Sequence, residues 1–243
     1  MWLVRSLPLP RSIDNLPLKV VYYRRFDRWR RAHPCPSTGG ERYQDRYRFY
    51  EAILGGGHLN EPVDYLEFGV FKGASIRWWS EHLRSPESRF VGFDSFEGLP
   101  ETVSQEWHAG RFSTGGATPA IDDARVSFRA GWFHRSLPTF LRTFERRGQL
   151  VVHLDADIYS STILVLLTLG PLLRTNDLLI FDELADSINE YRALEEFTRI
   201  FGFRYEVVAQ RGGYMHAALK IIDDAAGSHP PVAKDNSAPP RTA

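Results

Sequence analysis

Cysteine is nearly absent from this chain. Cys35 stands alone, which excludes an internal disulfide and a cysteine-built zinc site. That scarcity agrees with a reducing compartment. Long apolar runs are missing too: no stretch reaches the about 18 residues that a membrane-crossing helix needs. The opening Met1-Trp2-Leu3-Val4-Arg5-Ser6-Leu7-Pro8 is too short and too proline-broken for a signal peptide. The expectation is a soluble, cytoplasmic protein. Excess charge is the third lack. Thirty Lys and Arg balance thirty Asp and Glu, which argues against a generally basic nucleic-acid binder.

What is present is an ordinary globular composition, 43% hydrophobic and 25% charged over 243 residues. A chain of that size buries a sizeable core as one domain with an appendage. The zero net charge hides an asymmetry. Residues 1–50 hold 11 basic and 4 acidic side chains, a net of +7, and residues 51–243 carry the compensating −7. Residues 18–31 and 42–54 read as two helices separated by Pro34-Cys35-Pro36-Ser37-Thr38-Gly39-Gly40. The run Arg24-Arg25-Phe26-Asp27-Arg28-Trp29-Arg30-Arg31 reads first as a solvated helix face whose Phe and Trp pack inward. The segment as a whole caps the sheet, covers a site or makes a homo-oligomer contact. Residues 225–243 are rich in proline and small residues and are expected to be a disordered tail. The domain proper is expected over residues 51–224.

Strands and helices alternate through that domain. Strands are expected at 63–68, 89–94, 125–129, 150–155 and 177–182. Helices are expected at about 74–83, 160–173 and 189–201. Strands at 204–210 and 214–222 close the domain, joined by Arg211-Gly212-Gly213, a hairpin signal. This order specifies an α/β fold of βαβ units, a mostly parallel seven-stranded sheet covered by helices on both faces, closed by an antiparallel hairpin. Residues 99–124 form a long polar loop, and such a loop in a compact domain is more often functional than idle.

Chemistry-bearing residues gather at the ends of the strands. Glu67-Phe68-Gly69-Val70-Phe71-Lys72-Gly73 places an acid at a strand end, then a glycine turn, then a helix. Gly69, Val70 and Gly73 let a ligand approach the backbone at a helix N-terminus. The spacing fails the dinucleotide pattern, since Phe71 and Ala74 stand where glycines would be. S-adenosylmethionine fits better, with Glu67 meeting its amine and Ser75 its carboxylate. Asp94, with Ser95 beside it, ends the second strand and is placed to accept bonds from ribose hydroxyls. Gly131 and Trp132, after the third strand, are positioned to border an adenine. His153-Leu154-Asp155-Ala156-Asp157 and Asp182-Glu183 end the next two strands. Four carboxylates that close repel one another unless a cation sits between them, and oxygen donors of this kind suit Mg²⁺ or Mn²⁺. His153 lies in strand alternation and reads as a core histidine. Asp155-Ala156-Asp157 also matches the short D-x-D of metal-dependent glycosyltransferases.

Three segments carry a family resemblance. Tyr65-Leu66-Glu67-Phe68-Gly69-Val70-Phe71-Lys72-Gly73, Phe93-Asp94-Ser95-Phe96-Glu97-Gly98-Leu99-Pro100-Glu101 and His153-Leu154-Asp155-Ala156-Asp157-Ile158-Tyr159-Ser160-Ser161-Thr162 resemble the TylF/MycF/NovP type of class I methyltransferase. These are macrocin-type sugar O-methyltransferases of antibiotic biosynthesis. The resemblance implies a seven-stranded Rossmann-like sheet, S-adenosylmethionine over the first strand ends, and a Mg²⁺ that touches two hydroxyls of a sugar acceptor. By motif match, Asp155, Asp182 and Glu183 fall on metal-ligand positions, Asp157 on the general base, and residues 1–50 on a lid over the substrate. The chain departs from the pattern at Arg174-Thr175-Asn176, where glycines are usual, and at Asp182-Glu183-Leu184, where Asp-Asp-Tyr is usual. It departs again at Ile188-Asn189-Glu190-Tyr191-Arg192-Ala193, in place of a Gly-Ala-Arg stretch. A D-x-D glycosyltransferase and a non-catalytic protein of the same fold are the alternatives.

Overall fold

A computed structural model describes residues 16–38, 46–102 and 108–223. The expected tail and residues 42–45 of the second N-terminal helix lie outside the described residues. The chain opens with α1 (Leu16–Ala32) and α2 (Arg46–Gly55), followed by β1 (Val63–Phe68), α3 (Ala74–His82), β2 (Arg89–Asp94) and β3 (Val126–Ala130). Next come α4 (Phe133–Leu141), β4 (Gln149–Leu154), α5 (Tyr159–Leu169), a 3₁₀ turn at Gly170–Leu172 and β5 (Leu178–Phe181). The chain ends in α6 (Glu190–Phe201), β6 (Arg204–Arg211) and β7 (His216–Asp223).

The seven strands pair in the order β3-β2-β1-β4-β5-β7-β6. Strands β1 to β5 run parallel to one another, and β7 is antiparallel to both β5 and β6. The hairpin therefore folds back so that its second strand enters the sheet beside β5 and its first becomes the edge. All six residues of β1 are buried, as expected of a strand covered on both faces.

Alternate side chains feed two cores. Leu66, Phe68, Val152, Leu154 and Phe181 pack against α1, α4, α5 and α6. Tyr65, Phe90, Val151 and Ile180 pack on the other face against Phe49, Tyr50 and Ile53 of α2 and Ile76 and Trp79 of α3. Tyr22, Phe26 and Trp29 recur at helical spacing and are buried, so the inward face of the basic run is a packing face. Trp29 Nε1 donates to Tyr205 Oη at 2.8 Å, and Tyr22 Oη donates to Glu196 at 2.8 Å. Thr38 N–H donates to the Gln210 carbonyl at 2.9 Å, which joins the segment after α1 to the edge strand. Helix α4 is missing from the sequence reading because Pro138 interrupts its pattern.

The edge of the sheet opposite the strand C-termini carries paired acids. Asp64 accepts from Arg89 at 2.6 Å and from the Arg147 amide at 2.7 Å. Asp177 accepts from Arg146 at 2.8 Å and from the Leu150 amide at 3.0 Å. Those carboxylates are neutralised where they stand.

Candidate active site

Strand order reverses between β1 and β4, and ligands of open α/β sheets bind outside the strand ends at such a point. Gly69 and Asp155 meet there. Gly69 has φ 94°, and a Cβ added to it would lie 1.7 Å from the Asp155 carbonyl oxygen. Only glycine lets the two strand ends cross this closely. Above them opens a cleft of about 810 Å³, lined among others by Gly69, Asp94, Ser95, Trp132, Asp155, Asp157, Asp182 and Glu183. That volume falls within the about 300–1,000 Å³ of small-molecule sites.

Asp94 fixes the near wall. Its Oδ2 accepts from the Val70 and Phe71 amides, both at 2.8 Å, and its Oδ1 accepts from the Phe96 amide at 2.7 Å. Ser95 Oγ accepts from the Glu97 amide at 3.1 Å and donates to the Gly98 carbonyl at 3.1 Å, locking the next turn. The long loop then folds back on itself. The Leu99 amide donates to the Arg111 carbonyl at 2.9 Å, and Leu99, Arg111 and Phe112 all face the cleft. Gly131, at φ 124°, donates its amide to the Asp94 carbonyl at 2.9 Å and delivers Trp132 to the cleft wall.

Four expected cofactor residues stand behind that wall instead of on it. Glu67 is fully buried. It accepts from Tyr65 Oη at 2.6 Å and lies 3.4 Å from Ser75 Oγ. His153 Nδ1 lies 2.5 Å from the same Tyr65 Oη, so His153 belongs to this core network, as its alternation implied. Strand alternation places Glu67 on the Tyr65 side of the sheet, away from the opening, and Ser75 follows it inward. Neither Glu67 nor Ser75 is among the residues that line the cleft. Val70 packs in the core beside them. Gly73 starts α3 at φ 75°, where a Cβ would press on Pro119 at 2.9 Å.

The far end of the cleft is acidic. Asp157 sits in left-handed backbone, φ 61°, at the turn into α5. Burial, followed by the charges of Glu183 and Asp182, raises its carboxyl to about 8. Burial and then Asp182 raise Glu183 to about 7. Asp155 is pushed up by burial, Asp182 and Asp157. Asp182 differs. Burial opposes its charge, but His216 and then Arg46 hold it at about 2. His216 Nε2 lies 3.0 Å from Asp182 Oδ1, and Arg46 Nη2 lies 3.7 Å from Oδ2. Glu190 is buried behind them and accepts the Glu183 amide at 2.9 Å. Among the described residues no three His, Cys, Asp or Glu side chains converge as a metal cage.

A second cavity of about 670 Å³ opens on the other side of Asp157 and Glu183. Its roof is the Lys19, Val20, Tyr23 and Arg24 face of α1, and its floor includes Ile158 and residues 185–189. Two carboxylates thus form the wall shared by two cavities. Sequence reasoning missed Arg46, Arg111, Glu190 and His216. Only the basic excess of residues 1–50 hinted at Arg46, and nothing local marks His216, which the hairpin carries to Asp182.

Comparison with known proteins agrees with this geometry. Residues 66–184 match the model of a methyltransferase domain. The 8-demethyl-8-(2,3-dimethoxy-alpha-L-rhamnosyl)-tetracenomycin-C 4'-O-methyltransferase of Streptomyces olivaceus is 31% identical over 54% of this chain and 58% of its own. Demethyldecarbamoylnovobiocin O-methyltransferase of Streptomyces niveus is 27% identical over 64% of this chain and 66% of its own. The chain therefore spans about three fifths to two thirds of the length of these curated relatives. The crystal structure of a calicheamicin methyltransferase superposes over 90% of this chain and 88% of its own, with a TM-score of 0.56 at 21% identity. That likeness establishes the Rossmann-like methyltransferase fold. Over residues 66–184 the chain matches a methyltransferase domain, and over part of its length it is similar to two Streptomyces O-methyltransferases.

Proposed function

We propose that this chain is an S-adenosylmethionine-dependent O-methyltransferase whose acceptor is a hydroxyl on the sugar of a glycosylated natural product. The observation that carries the reading is the position of Asp157 on the wall between two cavities. One cavity stands where class I folds hold their cofactor. The other is walled by the N-terminal helix, in keeping with the lid expected of residues 1–50. The names of the two Streptomyces relatives, both O-methyltransferases and one acting on a rhamnosyl compound, support a sugar hydroxyl.

The cleft fits the cofactor in size and donors. Asp94 Oδ1 takes one backbone bond and retains lone-pair capacity for ribose hydroxyls. Trp132 lines the same wall and offers a ring face to the adenine. Bound there, the cofactor supplies a methyl carbon on a sulfonium, whose sulfur leaves as a neutral thioether when the acceptor oxygen takes the methyl group. The protein's tasks are alignment and proton removal. Asp157, as carboxylate, accepts the hydroxyl proton. Its raised pKa makes it a stronger base than an ordinary aspartate near neutral pH. Glu183, on the same wall, holds the acceptor hydroxyls by hydrogen bonds.

The Mg²⁺ expected from the acidic strand ends does not fit the donors as they are placed. Each Asp182 oxygen already faces a nitrogen, and the other carboxylates do not converge on one point with it. Calorimetry with S-adenosylhomocysteine tests the reading, with binding in the micromolar range expected. No binding at about 1 mM, far above the usual range for cofactor and substrate sites, would sink it. A thermal-shift panel that answers to UDP with Mn²⁺ and ignores S-adenosylhomocysteine would favour the D-x-D glycosyltransferase instead.

A further inference from the structure

Arg46 reaches the cleft from outside the methyltransferase domain. It is the first residue of α2, its side chain is 6% exposed, and it lines the cleft together with Asp155, Asp157, Asp182 and Glu183. Its Nη2 stands on Asp182 Oδ2 and His216 Nε2 on Oδ1, at 3.7 and 3.0 Å. His216 is itself fixed, buried at the start of β7 with its ring edge-on to Phe49, centroids 5.7 Å apart at 70°. Both nitrogens are thus held by the α2–β7 packing.

A cluster of four carboxylates needs a positive charge among them. A divalent ion would take oxygens from Asp182 and its neighbours, and Mg²⁺ coordinates oxygen at about 2.0–2.1 Å. Such an ion on Asp182 would bring its charge beside the Arg46 guanidinium that faces Oδ2. A guanidinium stays protonated at every accessible pH and carries donors on more than one edge. One that rests against a carboxylate can also donate to a hydroxyl oxygen. Arg111 also lines the cleft and its charge acts on Asp157 and Glu183, which adds positive charge without adding an oxygen donor.

We infer that the Arg46 guanidinium, carried on Asp182, is the resident cation of this cleft and holds the acceptor oxygen there in place of a divalent metal ion. The inference rests on the methyltransferase reading for its purpose, but not for its test. The full chain, dialysed against chelator, is titrated with Mn²⁺ and free Mn²⁺ is read by electron paramagnetic resonance. The expected result is no binding by the wild type below about 1 mM Mn²⁺. In Arg46→Met, which frees Asp182, Mn²⁺ affinity is expected to rise by about tenfold or more. Arg46→Lys, which keeps the charge, is expected to remain metal-free. An unchanged far-ultraviolet circular dichroism spectrum and a cooperative melt report that each variant is folded.

Micromolar Mn²⁺ binding by the wild type that Asp155→Asn or Glu183→Gln removes would overturn the inference. So would a folded Arg46→Met with no gain in Mn²⁺ affinity. Should Arg46→Met fail to fold, the wild-type titration alone decides. Failure to bind S-adenosylhomocysteine would sink the methyltransferase reading, an outcome distinct from either metal result.

Discussion

Asp157 and Asp94 separate the two halves of the site at the scale of single residues. Asp157→Asn is expected to reduce methyl transfer by about 10²–10⁴-fold, the usual worth of a general base, with S-adenosylhomocysteine affinity unchanged. The wild-type rate should rise with pH and level off above about 8, where Asp157 is ionised. Stability runs the opposite way. The folded pKa of about 8 lies above the ordinary 3.8, so this group's contribution is present below about pH 4 and is lost as pH rises through 8. Asp157→Asn should leave the melting temperature unchanged at pH 4 and raise it at pH 9, by about 2–4 °C per kcal/mol relieved. Asp94→Ala should do the reverse of Asp157→Asn on binding. It removes the acceptor for the Val70, Phe71 and Phe96 amides. Calorimetry should show S-adenosylhomocysteine affinity lower by about tenfold or more. Asp94, Asp155, Asp157, Asp182 and Glu183 were legible as residues of one cleft because each ends or closely follows a parallel strand, and parallel strands share one C-terminal edge. Glu67 also ends a strand, yet alternation turns its side chain to the Tyr65 face. A motif states where an acid lies along the chain but not which face of the sheet it serves.

Helix α1 shows the same contrast at the scale of an element. Its inward residues were readable from their spacing, and Tyr22, Phe26 and Trp29 are buried. What they pack on was not readable, because the partners lie on α6 and β6, more than 150 positions away. Trp29→Ala removes a buried ring and its bond to Tyr205, at a cost of about 3–5 kcal/mol. The expected outcome is release of the α1 segment, seen as faster proteolysis within residues 16–38 before the domain unfolds. A melting curve that falls as one step, with no early cleavage, would show α1 to be part of the main cooperative unit. The missed helix α4 and the reordered hairpin have local and long-range causes respectively. Pro138 hid the first. The second follows from pairing: β7 has β5 on one side and β6 on the other, and sequence adjacency alone cannot choose which strand of a hairpin joins the sheet.

Charge organises the molecule as a whole. Acids at one edge of the sheet, Asp64 and Asp177, are neutralised by Arg89 and Arg146 from neighbouring loops and strands. Acids at the other edge crowd around the cleft, and the N-terminal segment supplies Arg46 to Asp182 and Lys19 and Arg24 to the adjoining cavity. Three of the basic residues behind the +7 of residues 1–50, Lys19, Arg24 and Arg46, thus meet acids of the remainder at the site. The sequence by itself determined the alternating α/β order, the parallel sheet and the set of acids at its C-terminal edge, because strand period, glycine turns and hydrophobic runs are local properties. Only the tertiary structure decided which acids face the cleft, that Asp182 is held between Arg46 and His216, and that Asp157 divides two cavities. Those outcomes depend on which face each strand end presents and on distant helices closing over it, and neither is encoded in any one stretch of chain.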